Sequence, residues 1–202
     1  MVAIVDYGVG NLFSLKSSLK SIGVETIVTG NKEDIEKADK IILPGVGAFG
    51  DAAQKLRETG LDEVVISEAQ KGKKILGICL GMQLLFEKSY EFGEHEGLGL
   101  IKGSIKPIND YITPGLKVPQ IGWNAITFPK ENELFSKIKS GDYVYFVHSF
   151  HGTDCEESTI AVTEYGGTLT AAVADKNVYG TQFHPEKSGN VGMRILSAFC
   201  EL

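Results

Sequence analysis

The stretch Lys74-Ile-Leu-Gly-Ile-Cys-Leu-Gly-Met-Gln-Leu-Leu-Phe-Glu87 limits the fold of this chain more than any other. Ile75 to Ile78 form a short apolar run with β-branched residues, preceded by Lys71-Gly72-Lys73, and read as a buried strand. From Met82 onward, Leu84, Leu85 and Phe86 recur at helical spacing and predict the core face of a helix. Cys79 falls at the turn between the two, with Gly77 and Gly81 two residues away on either side. This is the pattern of a nucleophile elbow, with sulfur in place of the serine oxygen. A sharp strand-to-helix turn brings backbone against backbone, so a Cβ at either glycine would collide. The start of a helix beside the sulfur favours thiolate over thiol and leaves the Leu80 N–H free to hold a developing oxyanion. The competing reading is a plain buried cysteine in a parallel sheet, a common place for a free thiol. The rest of the chain has to decide between them.

The first half alternates strands and helices. Residues 2–5 read as a strand, and Asn11 can cap a helix carrying Leu12, Leu15, Leu19 and Ile22, stopped by Gly23. A second strand over 24–28, a short charged helix over 32–38 and a third strand over 40–43 follow. Asp51 can cap the next helix, which precedes an apolar-periodic segment over 61–70. Strands separated by helices imply a parallel sheet with helices on both faces, whose sites lie beyond the carboxyl ends of the strands. Residues 7–11, 44–50 and the Cys79 turn all fall at that edge. After about Gly93 the texture becomes strand-rich, with strands expected over 100–108, 122–128, 144–150, 159–164, 168–174 and 178–183. Tyr165-Gly-Gly-Thr168 suits a hairpin turn, and a last helix from about Gly189 carries Val191, Ile195, Leu196 and Phe199. The expectation is one α/β domain over residues 1–202, with antiparallel strands added in the second half.

Charge and cysteine usage exclude several function classes. The net charge is −6 with no basic stripe, which argues against nucleic acid and anionic membrane as partners. The apolar start, Met1 to Asp6, is short and reads as a strand and not as a leader. No apolar run is long enough to span a bilayer. Cys79, Cys155 and Cys200 are odd in number and lack metal-ligand spacing, which favours a reducing cytosol over disulfides or a zinc site, so a cytoplasmic location is expected.

A cysteine nucleophile needs a base, and there are four histidines. His95, among acidic neighbours, reads as a solvated loop residue, and His151, before Gly152, as a surface residue. His148, in Tyr143-Val-Tyr-Phe-Val-His-Ser-Phe150, fits a satisfied core histidine and a site-lining one equally well. His184 closes the strand Tyr179-Gly-Thr-Gln-Phe183 and is followed by Pro185 and Glu186. Proline biases it to extended geometry, where residues two apart share a side, so Glu186 can reach its imidazole. That supplies the base and orienter of a triad, against the alternative of a surface His and Glu at a strand end. Pro44-Gly-Val-Gly-Ala-Phe-Gly50 leaves its backbone N–H groups unobstructed for a second oxyanion donor. It lacks the Gly-Lys-Ser/Thr ending of a phosphate loop. Lys187 and Trp123 are expected near the edge where the elbow opens, as a docking face.

The Gly77-Ile-Cys-Leu-Gly81 elbow with Gln83, and Phe183-His-Pro-Glu186, resemble the class I, triad-type glutamine amidotransferases. The likeness extends through Asp6-Tyr-Gly-Val-Gly-Asn11, Pro44-Gly-Val-Gly47, Gly122-Trp-Asn124, Tyr145-Phe-Val-His-Ser149 and the stretch from Gln182 to Ser188, essentially the full length. The glycine loop, Gly-Trp-Asn and Phe-Val-His-Ser point to the branch formed by glutaminase subunits of imidazole glycerol phosphate synthase, from histidine biosynthesis. Phe150 stands where a tyrosine is commoner in that branch. The resemblance implies a flavodoxin-like mixed α/β sheet flanked by helices, and a Cys79–His184–Glu186 triad that hydrolyses glutamine through a thioester. It implies substrate contacts from Gly45, Val46, Gly47, Leu80, Gln83, His148, Ser149 and Phe150. It implies a partner synthase (cyclase) subunit in a heterodimer, met by Asn11, Gln120, Trp123, Asn124 and Lys187, which receives the ammonia. No metal or organic cofactor is implied. A glutaminase of another class I amidotransferase, a thiol hydrolase or peptidase on the same fold, and a non-catalytic regulatory protein remain open at this point.

Overall fold

A computed structural model describes all of residues 1–202. In chain order the elements are β1 (Val2–Val5), α1 (Leu12–Ser21), β2 (Thr26–Thr29), α2 (Lys32–Lys37), β3 (Lys40–Gly45), α3 (Phe49–Glu58), α4 (Leu61–Gln70), β4 (Lys74–Cys79) and α5 (Leu80–Leu84). The second half contains β5 (Phe86–Ser89), β6 (His95–Glu96), β7 (Ile101–Pro107), β8 (Gln120–Thr127), β9 (Tyr143–His148), β10 (Phe150–Thr153), β11 (Thr159–Glu164), β12 (Thr168–Asp175), β13 (Val178–Thr181) and α6 (Gly189–Glu201).

Nine strands form one mixed sheet in the order β2-β1-β3-β4-β13-β12-β11-β8-β9. From β2 to β13 neighbours are parallel, and from β13 to β9 they are antiparallel. The period of two sorts the strand side chains between two cores. Ala3, Val5, Ile41 and Leu43 face α2, α3 and α4, while Val2, Ile4, Ile42 and Leu76 face α1 and α6. The register pairs Gly45 with Cys79, and Ile78 with Thr181, so the ends of β3, β4 and β13 lie side by side. Tyr165 to Thr168 makes the expected hairpin turn, with the Tyr165 N–H donating to the Gly167 carbonyl.

Four expectations need correction. The helix after Cys79 ends at Leu84, and Phe86 begins a strand instead of continuing the helical face. Phe86 is fully buried either way, but β5 gains a parallel partner in β7. The strand expected over 144–150 breaks at Ser149: β9 belongs to the large sheet and β10 to a second sheet, ordered β10-β7-β5-β6. Helix α3 starts at Phe49, two residues before Asp51, because the Glu91 carboxylate accepts from the Phe49 N–H at 2.7 Å and caps it from a distance. Strand β13 stops at Thr181, and residues 185–187 form a 3₁₀ turn after His184.

A Cβ built on Gly81 would lie 1.8 Å from the Leu43 carbonyl oxygen, and one on Gly77 would lie 2.6 Å from the Gly81 oxygen. Gly81→Ala is therefore expected to cost about 3 kcal/mol or more, since backbone has to move. Gly141, with φ +96° and open space around it, tests only left-handed strain, for which Gly141→Ala should cost about 1–2 kcal/mol. Urea unfolding of the two variants checks the order; a milder effect at Gly81 would mean the turn is loosely packed.

Candidate active site

Cys79 is the last residue of β4 and caps the start of α5, with φ 55° and ψ −112°. Positive φ in a residue with a Cβ is strained, and the glycine contacts on both sides hold it there. The sulfur opens on a cavity of about 390 Å³ at the carboxyl edge of the sheet. Because α5 is five residues long, its influence on the sulfur comes from the N–H groups of its first turn alone. Strand β3 delivers Gly45 on one side of Cys79; a Cβ there would sit 2.9 Å from the Leu80 Cβ and 2.8 Å from the Gly81 nitrogen. Tyr7, after β1, is buried behind this loop and its hydroxyl donates to the Pro44 carbonyl at 2.7 Å. Burial, and then the nearby Cys79 charge, push its phenol well above the ordinary range.

On the other side of β4, β13 leads to His184. The His184 N–H donates to the Tyr145 carbonyl at 3.0 Å, and the Ser188 hydroxyl donates to the His184 carbonyl at 2.6 Å, which fixes the backbone of the residue. Its Nδ1 lies 2.8 Å from Glu186 Oε1, and both side chains are almost fully buried. The turn at 185–187, and not the alternation of a strand, folds Glu186 back onto the ring. Within the chain the imidazole is the one group that donates to this carboxylate. Burial works against a charge on His184, but Cys79 and Glu186 together outweigh it and raise the pKa to about 9. The ring is therefore held as imidazolium at neutral pH.

The same cavity is lined by Val46, Gly47, Leu80, Gln83, His148, Ser149 and Phe150, so all the substrate-contact candidates but Gly45 meet there, and Gly45 lies buried beside it. His148 lines the cavity, with Nδ1 2.8 Å from the Phe150 carbonyl and Nε2 2.8 Å from Gln120 Oε1. Burial lowers its pKa to about 4, so the ring is neutral and carries one N–H, which donates to Phe150; Nε2 is then an acceptor, and a half-turn of the Gln120 amide gives it an NH₂ partner, so both nitrogens are engaged away from Cys79. The other two histidines depart from expectation. His151 is buried against Tyr111, its Nδ1 accepting from the Thr170 N–H, because β10 turns it inward to a separate cavity of about 400 Å³. His95 sits in β6, half-buried against Phe49 and Gly50.

Two residues of the site escaped the sequence reading. Glu91 borders the cavity, its carboxyl pKa raised by burial; no motif around Tyr90-Glu-Phe92 marks it. Gln182 is fully buried, and its Nε2 donates to Cys79 Sγ at 3.8 Å. The signal for Gln182 was present, since in an extended segment it shares a side with His184. Among the docking candidates, Trp123 and Lys187 are exposed and flank the Tyr145 ring, at 6.1 Å between ring centres and 6.0 Å from Nζ. Asn11 is exposed and caps α1, and Asn124 is half-buried with its amide donating to the Glu164 carbonyl. Gln120 is the exception: it is fully buried beside His148 and presents nothing to a partner.

Comparison with known proteins agrees with this geometry. The family model for glutamine amidotransferase class-I matches residues 3–201. Imidazole glycerol phosphate synthase subunit HisH of Sulfurimonas denitrificans is 51% identical, over 98% of this chain and 97% of its own. The HisH subunit of Bacillus subtilis is 45% identical, over 100% and 96%. Among solved structures, PurLQS from Thermotoga maritima superimposes with a TM-score of 0.78 over 99% of this chain and 97% of its own, at 20% identity, a likeness of fold. With a matched model over nearly its whole length and relatives near half identity, the chain belongs to the class I glutamine amidotransferase family.

Proposed function

We propose that residues 1–202 act as a single glutamine amidotransferase domain with Cys79 as nucleophile, His184 as acid and base, and Glu186 as orienter. The observation that carries this reading is the side-by-side ending of β3, β4 and β13, which brings the glycine loop, Cys79 and His184 around one cavity. The thiolate attacks the side-chain carboxamide carbon of glutamine. The oxyanion is held by the Leu80 N–H and by a backbone N–H of the Gly45, Val46, Gly47 loop. The His184 imidazolium gives its proton to the departing nitrogen, which leaves as ammonia, and the acyl group remains on sulfur as a thioester. His184, now neutral, takes a proton from water; the hydroxide adds to the thioester, and glutamate leaves as the thiolate is restored. Gln83 and the backbone near Ser149 and Phe150 grip the amino-acid end. Glu91 offers the counter-charge for an α-ammonium.

The names carried by relatives at 45–51% identity support a finer reading. In it the chain is the glutaminase subunit of imidazole glycerol phosphate synthase. It hands ammonia to a cyclase subunit, in a heterodimer, for the synthesis of imidazole glycerol phosphate and aminoimidazole carboxamide ribotide in histidine biosynthesis. The lyase chemistry belongs to the partner. No helix is long and apolar enough to cross a membrane, which accords with work in the cytoplasm.

Cys79→Ala is expected to lower glutamine hydrolysis by about 10⁴-fold or more while the complex still uses added ammonium salts. Glutamate release near the wild-type rate would remove Cys79 from the mechanism. For His184, a folded pKa near 9 against an ordinary 6.5 means that its charge contributes fully to stability below about pH 6.5. That contribution is lost as pH rises through about 9. NMR titration of the His184 ring should show this midpoint, moved down in Cys79→Ala and again in Glu186→Gln; a ring titrating at its ordinary value in the wild type contradicts the pairing.

The docking face is tested by titration calorimetry against the synthase. Trp123→Ala is expected to weaken the complex by roughly 30-fold, as loss of an aromatic anchor does, with little change in the melting temperature of the free chain. Lys187→Glu should weaken association and uncouple glutamine hydrolysis from synthesis, leaving the ammonium-dependent reaction intact. Wild-type affinity in both variants would move the interface elsewhere.

A further inference from the structure

Gln182 lies between the end of β13 and His184, and its side chain has no exposed surface. Its backbone N–H is fixed by the Ala171 carbonyl at 2.8 Å. Phe183, on the opposite side, is buried against Phe146. The carboxamide of Gln182 therefore has one place to go, the space between Cys79 and Gln83. Its Nε2 donates to Cys79 Sγ at 3.8 Å, and its Oε1 accepts from Gln83 Nε2 at 3.0 Å. Gln83 Nε2 also donates to the Phe150 carbonyl at 3.2 Å.

A carboxamide has two different ends, and a half-turn exchanges donor for acceptor. A backbone carbonyl, by contrast, can only accept. Phe150 thus dictates which way round Gln83 sits, with its NH₂ towards the carbonyl. That same NH₂ group faces Gln182, so Gln182 must answer with its oxygen, and its own NH₂ is left for the sulfur. Turning either amide over would set like groups against each other between two buried side chains, an arrangement that buried polar groups avoid. The polarity of the whole series is anchored at Phe150, where the chain passes from the large sheet to the small one.

We infer that Gln182 is a positioning residue with two effects: its N–H stabilises the anionic form of the Cys79 sulfur, and its oxygen holds Gln83 so that Gln83 Oε1 faces the substrate. A donor on the charged form of an acid favours ionisation, and the Gln182 NH₂ is aimed at the sulfur. Gln83 has both amide hydrogens committed, so the end it can offer the cavity is an acceptor, suited to an N–H donor of the bound amino acid. The inference rests on the nucleophile reading of Cys79, and its first readout needs neither glutamine nor a partner.

The test uses the full chain, with three variants. In Gln182→Met the pH midpoint of Cys79 alkylation by iodoacetamide, followed on the Cys79 peptide by mass spectrometry, should rise by about one pH unit. In Gln182→Glu, which differs by one atom, the rise should be larger, because a carboxylate oxygen replaces the donor. Gln83→Met, which lets the Gln182 amide turn but takes no donor from the sulfur, should move the midpoint by clearly less than Gln182→Met does. In the complex with the synthase, both Gln182→Met and Gln83→Met should raise the KM for glutamine by about tenfold, since either change frees the orientation of the amide end. A purely structural role would lower melting temperature without this split. In the unaltered chain, the ¹⁵N resonance of the Gln182 side-chain NH₂ should titrate together with the thiol. An alkylation midpoint unchanged in Gln182→Met, an equal shift in Gln83→Met, or an amide resonance flat through the thiol titration overturns the inference. Absence of glutamine turnover by the wild-type complex would instead count against the function proposed above, leaving the thiol readouts to stand alone.

Discussion

The contact on which the site depends is between two pieces of backbone: Gly81 against the carbonyl of Leu43. No side chain fits in that gap, since a Cβ there would overlap the oxygen at 1.8 Å. Because the first turn of α5 is pressed onto β3, Cys79 has to leave β4 through a positive-φ corner. The corner does two things together. It lifts the sulfur out of the sheet towards the cavity, and it leaves the next N–H groups unpaired at a helix start. A longer or looser connection would lose both. The strain at Cys79 is tolerated because Gly77 closes against Gly81 from the other side, so the turn is over-determined.

What the sequence reveals of this arrangement follows from how local each cause is. The elbow is a matter of adjacent residues, and Gly77, Cys79 and Gly81 are legible directly. The pairing of His184 with Glu186 is legible as well, although by a different route: a strand alternation suggests it, and a 3₁₀ turn delivers it. The causes that act across the chain are the ones the sequence hides. Met82, Leu85 and Phe86 have helical spacing, yet β7 offers Phe86 a strand partner some fifteen positions later, and pairing wins over propensity. Ala48 offers no cap to α3, and the missing acceptor arrives from Glu91, more than forty residues away. The break at Ser149 leaves no trace in the local sequence, because the apolar run of β9 passes directly into Phe150 with no glycine or proline between them.

That break explains why a second, small sheet exists at all. Strand β9 is the outermost strand of the large sheet, and the chain could have ended its pairing there. It crosses instead to β7, and the crossing residue, Phe150, presents a carbonyl to the cavity. Two donors converge on that oxygen, His148 Nδ1 at 2.8 Å and Gln83 Nε2 at 3.2 Å. The His148 ring is kept neutral by burial, and its neutrality suits a position close to the positive His184. The small sheet thus places a backbone acceptor where the site needs one and holds two side chains in register with it.

The electrostatics of the pair follow from the same economy of partners. A buried carboxylate normally collects several hydrogen bonds to offset its lost hydration. From the rest of the chain Glu186 receives one, from His184. Within the chain the His184 ring is the one cationic group that faces this carboxylate. In the resting site the imidazolium stands between the Cys79 sulfur and Glu186, and both favour its charge. Once the sulfur is acylated it is no longer an anion, and Glu186 is the neighbour that still favours a protonated ring when His184 takes a proton from the attacking water. Release of glutamate restores the thiolate, and with it the second partner of the imidazolium.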